Sequence, residues 1–233
     1  MRLDTKTLLR PTIILGLIGL LSAYALSHIK KITYPNILRQ EREKQETALS
    51  MVLPGYVIQE QRRAAIDGSD FVYWVATKTE KNPPARAYAF IAERPGYSGP
   101  VRSIVGVDEK GVLLGISILQ QSETPGLGAR SVEIASRETF WGRFFGSRGK
   151  DEAPARPWFQ EQFRGLDSNK KISIVKKGDW NDAMRQELIE KNAVSAITGA
   201  TITTKAVRDS LAAGAEKLKR AVALQPGSAE AVK

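Results

Sequence analysis

Near its end the chain reads Ser195-Ala196-Ile197-Thr198-Gly199-Ala200-Thr201-Ile202-Thr203-Thr204-Lys205-Ala206-Val207, with four threonines crowded around a Gly-Ala pair. A helical pattern begins directly after this stretch. Its apolar side chains recur at spacings of four, seven and four, which places them on one helix face: Val207, Leu211, Leu218 and Val222. Thr203 or Thr204 is predicted to be the N-cap of that helix, because threonine is a favoured capping residue.

Two interpretations of the threonine stretch remain open on spacing alone. Glycine lets a backbone approach a ligand closely, and the first free N–H groups of a helix attract anions. The stretch therefore predicts a phosphate site whose hydroxyls touch the phosphate or are bonded to it. The plainer alternative is a threonine-rich N-cap that only starts a surface helix, and spacing by itself favours it, since such anion sites are occupied only sometimes.

Composition excludes several classes of function. A chain of 233 residues with 42% hydrophobic residues holds one sizeable globular domain plus an appendage. It has no cysteine and one histidine, so it builds neither disulfides, Fe–S clusters, histidine metal sites nor a catalytic triad, and no metal site is expected. Its net charge is +10, but the basic residues are spread along the chain without a nucleic-acid-binding motif. Anionic lipid or an acidic partner explains that charge equally well.

The N-terminal region contains a candidate membrane span. Residues Pro11 to Ile29 carry no charged side chain, and their length approaches the ~20 residues that a helix needs to cross a bilayer. A cleaved signal peptide with Ala23-Tyr24-Ala25 as its cleavage site is the alternative. We favour a retained transmembrane helix over residues 11–29, because the apolar run continues past that tripeptide. Basic residues on both sides leave its orientation open.

The rest of the chain divides into three predicted parts. Residues 30–53 mix acidic and basic side chains and predict a solvated helical stalk. Pro54-Gly55 ends the stalk and opens a domain predicted over residues 54–224. Residues 225–233 are predicted to form a tail.

The domain shows mainly strand patterns. Short β-branched or aromatic runs predict strands at Tyr56–Glu60, Phe71–Thr77, Ala87–Ala92, Val101–Val107, Val112–Leu119 and Lys171–Lys176. The fourth and fifth strands flank Asp108-Glu109-Lys110-Gly111, which predicts a hairpin loop. Helices are predicted at Ser131–Phe145 and Asn181–Lys191. The fold class is therefore α+β, a mainly antiparallel sheet with packed helices, preceded by one N-terminal transmembrane helix.

In two further stretches, glycines flank a leucine or a tyrosine. Ser122-Glu123-Thr124-Pro125-Gly126-Leu127-Gly128 follows the hairpin and offers free backbone groups and a leucine for a planar ring. Gly96-Tyr97-Ser98-Gly99-Pro100 predicts a tight turn with one aromatic residue. Taken singly, each is a weak signal that favours an ordinary turn, and neither is a G-x-G-x-x-G or Walker pattern.

Together these stretches resemble one protein family. Gly-Tyr-Ser-Gly-Pro, Glu-Thr-Pro-Gly-Leu-Gly and Thr-Gly-Ala-Thr, in this order behind one transmembrane helix, are similar to the covalent-flavin subunits of ion-pumping respiratory complexes. The chain resembles the G subunit of the Rnf electron transport complex and, next to it, the C subunit of the sodium-pumping NADH:quinone reductase. The resemblance covers the predicted anchor and roughly Pro54 to Val222.

The resemblance implies a covalent flavin. In that family a flavin transferase takes FMN from FAD and joins its phosphate to the last threonine of Ser/Thr-Gly-Ala-Thr, which here is Thr201. The implied FMN-binding residues are Thr201, Thr198, Gly199, Ala200, Ile202, Thr203, Glu123, Thr124, Pro125, Gly126, Leu127 and Gly128. Leu127 is expected near the ring, and Thr198 and Thr203 near the phosphate. Where the family motif usually begins with aspartate, this chain has Ser195, which is expected to slow flavin attachment at most.

The resemblance also implies a function. The chain is expected to be an electron-carrying subunit of a membrane-bound ion-translocating ferredoxin/NAD oxidoreductase, with no turnover of its own. Its expected partners are membrane subunits that include a second flavin subunit and Fe–S subunits. Residues 1–10 are expected to form a cytoplasmic N-terminus, and the C-terminal domain is expected on the periplasmic side of a bacterial inner membrane. The alternatives are a subunit of the quinone reductase, a stand-alone extracytoplasmic flavin domain, and an anchored binding module without redox function.

Overall fold

The structure is a computed structural model that describes residues 5–78, 84–133, 157–176, 178 and 182–224. The chain divides into two units, Met1–Gln45 and Glu46–Lys233. Helix α1 spans Thr5–Val52, so the boundary between the units lies inside this helix.

The first unit consists of the N-terminal part of α1. Its apolar side chains between Ile13 and Tyr34 are exposed, and an 18-residue window of the helix has a mean hydropathy of 1.8 with none of the window buried. By length and composition, α1 is able to cross a membrane. Beyond the predicted span the helix continues without a break to Val52, and the chain then turns at Pro54-Gly55.

The second unit is built on a five-stranded antiparallel sheet. Its strands are neighbours in sequence order: β1 Val57–Ile66, β2 Ser69–Lys78, β3 Ala85–Pro95, β4 Pro100–Asp108 and β5 Leu113–Gln120. The first five predicted strands are present, and β1 is longer than predicted because residues 61–66, half of them polar, pair with β2 in a regular ladder. The predicted hairpin loop is also confirmed. Asp108 there accepts hydrogen bonds from the N–H groups of Lys110 and Val112 at 2.9 and 2.8 Å.

Helices and short strands complete the second unit. In chain order these are a 3-10 turn Gly128–Val132, α2 Trp158–Glu161, β6 Ser173–Val175, a 3-10 turn Asp182–Met184, α3 Arg185–Glu190, β7 Ala193–Ser195 and α4 Thr201–Ala223. The predicted strand at Lys171–Lys176 and the predicted helix at Asn181–Lys191 are confirmed in shorter form by β6 and α3. Most of the helix predicted at Ser131–Phe145 lies outside the described residues. Strand β7, parallel to β6, was not predicted.

Helix α4 begins earlier than predicted. Ala200 is its N-cap, so the prediction of Thr203 or Thr204 as the cap is wrong. The chain turns already at Gly199, whose φ of +77° suits glycine, and the helix starts directly after this turn. The predicted apolar stripe is confirmed, because Val207, Leu211 and Leu218 are buried.

The sheet is covered on both faces. Along β3, Phe90 and Ala92 belong to the cluster that α4 joins through its apolar stripe. The alternate residues Ala87 and Ala89 belong to a second cluster with the last turns of α1. Successive side chains of a strand point to opposite faces, so α4 and the end of α1 pack on opposite sides of the sheet. This α+β architecture agrees with the predicted fold class.

The end of α1 rests on two small residues of the sheet. Gly106 and Gly115 lie opposite each other in the β4–β5 ladder, beneath Val52. A Cβ atom on Gly106 would collide with the Val52 carbonyl oxygen, whereas one on Gly115 would meet Val52 Cα at an ordinary 3.5 Å.

We expect Gly106→Ala to lower the free energy of unfolding by about 1–3 kcal/mol, because the helix end must move to admit the methyl group. Gly115→Ala is the matched control and is expected to change stability little. Urea unfolding of the full chain in detergent measures both. Equal losses in the two variants would show that contact with Val52 does not determine the effect.

Candidate functional site

Three glycine-containing segments meet at one cavity. They are the turn of residues 96–99 between β3 and β4, the loop of residues 121–128 after β5, and residues 199–203 at the start of α4. The cavity has a volume of about 410 Å³, within the range of small-molecule sites. Its lining residues are Tyr97, Glu123, Thr124, Leu127, Gly128, Gly199, Ala200, Thr201, Ile202 and Thr203.

Most residues predicted for the site line this cavity. Thr198, Pro125 and Gly126 are exposed and do not belong to the lining. Tyr97 lines the cavity although it was not among the predicted residues. Its signal in the sequence is the single aromatic residue in the turn Gly96–Pro100, which is consistent with a planar ligand only once the three segments are known to meet.

The carboxylate of Glu123 connects the three segments. Its Oε1 accepts hydrogen bonds from the backbone N–H groups of Tyr97 and Ser98, at 2.9 and 3.1 Å. Its Oε2 accepts one from the hydroxyl of Thr203 on α4, at 2.5 Å. The residue is only 6% exposed, so the carboxylate is committed to the protein rather than to solvent.

Two glycines leave room for this carboxylate. A Cβ atom on Gly96 would collide with Glu123 Oε1, and one on Gly128 would lie 2.5 Å from Glu123 Oε2 and 2.6 Å from Thr203 Oγ1. Both glycines therefore serve close packing around Glu123. This is a more specific reason for their presence than the general backbone freedom that the sequence indicated.

The four threonines of the stretch differ in what their hydroxyls do. The hydroxyl of Thr203 donates to Glu123, and that of Thr204 accepts the Ile197 N–H and donates to the Ala200 carbonyl. Both side chains are buried, whereas Thr198 is exposed outside the cavity. Thr201 is half-buried, lines the cavity, and makes no side-chain hydrogen bond within the described part of the chain.

Ser195 lies away from the cavity lining. It is fully buried, and its hydroxyl donates to the Gly178 carbonyl at 2.6 Å. The side-chain amide of Gln162 bonds both backbone groups of Ser195, accepting its N–H at 2.7 Å and donating to its carbonyl at 3.2 Å. These bonds hold the end of β7, which leads into the threonine stretch. The Ser195 hydroxyl is not part of the cavity lining.

The cavity combines the first turn of α4 with a rim of exposed apolar side chains, here called its mouth. Thr201, Ile202 and Thr203 form the first turn of α4, where backbone N–H groups have no intrahelical acceptor and favour an anion. Three apolar side chains around the cavity are exposed: Tyr97 to 72%, Ile202 to 52% and Leu127 to 44%. Among the described residues, no cluster of side chains suits a metal ion. This arrangement fits a ligand with a phosphate at one end and a planar apolar ring at the other.

A family comparison agrees with this geometry. The sequence profile described as the FMN-binding domain matches residues 96–216, which is more than half of the chain and contains all three cavity segments. The chain belongs to the FMN-binding domain family. Membership supports FMN as the cofactor, and the phosphate-favouring helix start and the apolar mouth of the cavity fit such a group.

Individual proteins are similar to much of the chain. The G subunit of the ion-translocating oxidoreductase complex of Shewanella piezotolerans is 29% identical over 147 residues, covering 58% of this chain and 66% of the relative. The protein of the same name from Haemophilus influenzae is 29% identical over 186 residues, covering 77% and 88%. The G subunit of the proton-translocating ferredoxin:NAD(+) oxidoreductase complex of Clostridium ljungdahlii is 33% identical over 134 residues, covering 58% and 53%.

The matched part of the chain thus spans between about half and nine-tenths of these relatives. The predicted resemblance to Rnf G subunits is confirmed. Among solved structures, the C subunit of the sodium-translocating NADH-quinone reductase of Parabacteroides distasonis is similar at 19% identity, with a TM-score of 0.48 over 78% of this chain and 94% of that chain.

Proposed function

We propose that Thr201 carries FMN through a phosphoester between its hydroxyl oxygen and the FMN phosphate. One observation carries this proposal. Of the four threonines between residues 198 and 204, Thr201 combines a position in the cavity lining with a hydroxyl free of protein hydrogen bonds in the described part of the chain. Thr203 and Thr204 use their hydroxyl hydrogens within the protein.

Attachment requires a flavin transferase and FAD. The Thr201 oxygen forms a bond to the phosphorus on the FMN side of the FAD pyrophosphate, the P–O–P bridge breaks, and AMP leaves. The hydroxyl proton is released, and no electron is gained or lost. The phosphate retains one negative charge, which the first turn of α4 stabilises by about 0.3–1 kcal/mol. That amount is too small to retain a cofactor, so retention depends on the covalent bond.

The proposed role of the loaded protein is to carry electrons. FMN accepts two electrons and can pass them on singly, while the protein holds it and determines its surroundings. The names of the relatives describe ion-translocating oxidoreductase complexes. We therefore assign this chain to the electron-carrying G subunit of such a membrane complex, working with membrane partners that hold Fe–S clusters and a second flavin. The long apolar helix and these relatives indicate a membrane-anchored protein.

The proposed position of the C-terminal domain is extracytoplasmic, as in the periplasm of a bacterial inner membrane. Outside the cytoplasm, dissociated FMN is not readily replaced, so a covalent bond has its greatest value there. The cavity's exposed mouth agrees with this argument, because an open site loses a free ligand easily.

We expect Thr201→Ala to abolish covalent flavin, because it removes the acceptor oxygen. Thr201→Ser keeps that oxygen and is the matched variant that should remain modified. Intact mass of the chain, expressed with its transferase, measures an addition equal to FMN less water, and peptide mapping locates it. In-gel fluorescence under ultraviolet light gives an independent measurement. A fluorescent Thr201→Ala band would exclude Thr201 as the acceptor and redirect attention to Thr198, Thr203 or Thr204.

We expect the tagged full chain to co-purify from native membranes with multi-spanning subunits and an Fe–S subunit. Mass spectrometry of the mild-detergent eluate identifies them. Recovery of the flavinylated chain alone, under conditions that keep other membrane complexes intact, would favour a stand-alone flavin domain. Absence of flavin from the native chain would instead favour an anchored binding module.

We expect the C-terminal domain to be labelled from outside the cytoplasm. The chain has no cysteine, so Glu109→Cys in the exposed β4–β5 loop gives a single reporter thiol. A membrane-impermeant maleimide should label it in intact spheroplasts, while Thr5→Cys at the start of α1 should react only after lysis. The opposite pattern would place the domain in the cytoplasm.

A further inference from the structure

We propose that Glu123 is a positioning residue that assembles the acceptor site around Thr201 before FMN is attached. This inference rests on the proposed function of Thr201. The resemblance to the flavin-carrying family implied only that Glu123 lines the flavin. The geometry assigns it a different role, in which its carboxylate holds protein groups together.

The hydrogen bonds of Glu123 use both carboxylate oxygens. One oxygen fixes the backbone of the 96–99 turn at two successive N–H groups, and the other fixes the hydroxyl of Thr203. Among the described residues no lysine or arginine forms an ion pair with it. These three donors therefore satisfy the carboxylate, and removing it would leave the buried Thr203 hydroxyl and two N–H groups of the 96–99 turn without this acceptor.

Through its bond to Thr203, Glu123 also restrains the acceptor residue Thr201. Thr203 lies two residues after Thr201 in the same first turn of α4, so a bond that fixes one also restrains the other. Thr203 is 1% exposed and therefore has little freedom to find another partner. Glu123 thus fixes the acceptor turn of α4 relative to the loop segments that form the rest of the cavity.

The same contact limits competition among the hydroxyls. Thr203 also lines the cavity, but its one hydroxyl hydrogen is donated to Glu123. While that bond persists, Thr203 has no hydrogen to donate to a phosphate. A phosphate contact by Thr203, which the family resemblance implied, would require this hydrogen to leave Glu123.

The variant Glu123→Gln separates the effect of hydrogen-bond geometry from the effect of the negative charge. Its side-chain oxygen can accept both N–H groups of the 96–99 turn, and its amide nitrogen can donate to the Thr203 oxygen. The reversed bond keeps the same atoms in contact without the negative charge. The variant Glu123→Ala removes all three hydrogen bonds. The variant Thr203→Val removes only the bond between Glu123 and α4, at nearly constant side-chain volume.

The experiment measures the rate of FMN transfer to the flavin-free full chain in detergent, with purified transferase and FAD. We expect Glu123→Ala and Thr203→Val each to lower kcat/KM for the acceptor protein by about tenfold or more, since small misplacements of reacting groups are costly. Glu123→Gln should recover most of the rate lost in Glu123→Ala. The double variant Glu123→Ala/Thr203→Val should be no slower than Glu123→Ala, because both changes break one interaction.

Gly106→Ala is the control for general loss of stability. It strains the domain at Val52, outside the cavity lining, and should lower the melting temperature without lowering the transfer rate at a temperature where the domain is folded. Wild-type rates in Glu123→Ala and Thr203→Val would overturn the positioning role while leaving Thr201 as the acceptor. A rate in Glu123→Gln as low as in Glu123→Ala would also overturn it, in favour of a role for charge. Wild-type protein that is never modified at Thr201 would refute the proposed function itself.

Discussion

The cavity depends on one buried carboxylate. Glu123 binds two N–H groups of the 96–99 turn and the hydroxyl of Thr203, so it holds together three segments far apart in sequence. A carboxylate buried to this degree is stable only if its acceptor capacity is satisfied, and all three donors belong to the cavity's own segments. The same bonds therefore stabilise the charge and define the site.

The antiparallel sheet explains how these segments come to meet. The 96–99 turn joins β3 to β4, and β5 runs back along β4, so the loop after β5 leaves the sheet beside that turn. Helix α4 packs over β3 through its apolar stripe. Its start is fixed from the other side by the Gln162 amide, which holds Ser195 and hence the end of β7. Core packing thus brings the first turn of α4 to the end of the sheet where β3 joins β4, and Glu123 bonds it to the 96–99 turn there.

Much of this architecture was predictable from local sequence, and two of the exceptions concern hydroxyl groups whose partners are distant in sequence. Short β-branched or aromatic runs predicted the five strands of the sheet, and the apolar stripe of α4 predicted its buried face. The wrong N-cap came from assigning Thr203 and Thr204 a local capping role, whereas Thr203 bonds Glu123, eighty residues away. Ser195 was likewise judged by its place in the local motif, whereas its hydroxyl donates to the distant Gly178 carbonyl. Local patterns do not reveal long-range hydrogen bonds, and those bonds define the site.

The openness of the cavity supports the proposal of covalent attachment. Tyr97, Leu127 and Ile202 are substantially exposed around the mouth, so a planar ring bound against them would lie at the surface of the domain. A deep pocket would retain FMN without a bond but would also separate the ring from an electron-transfer partner. In the proposed function, the phosphoester at Thr201 retains the cofactor, so the ring can stay accessible at the mouth. In the same proposal, the bonds of Glu123 hold the attachment point in place.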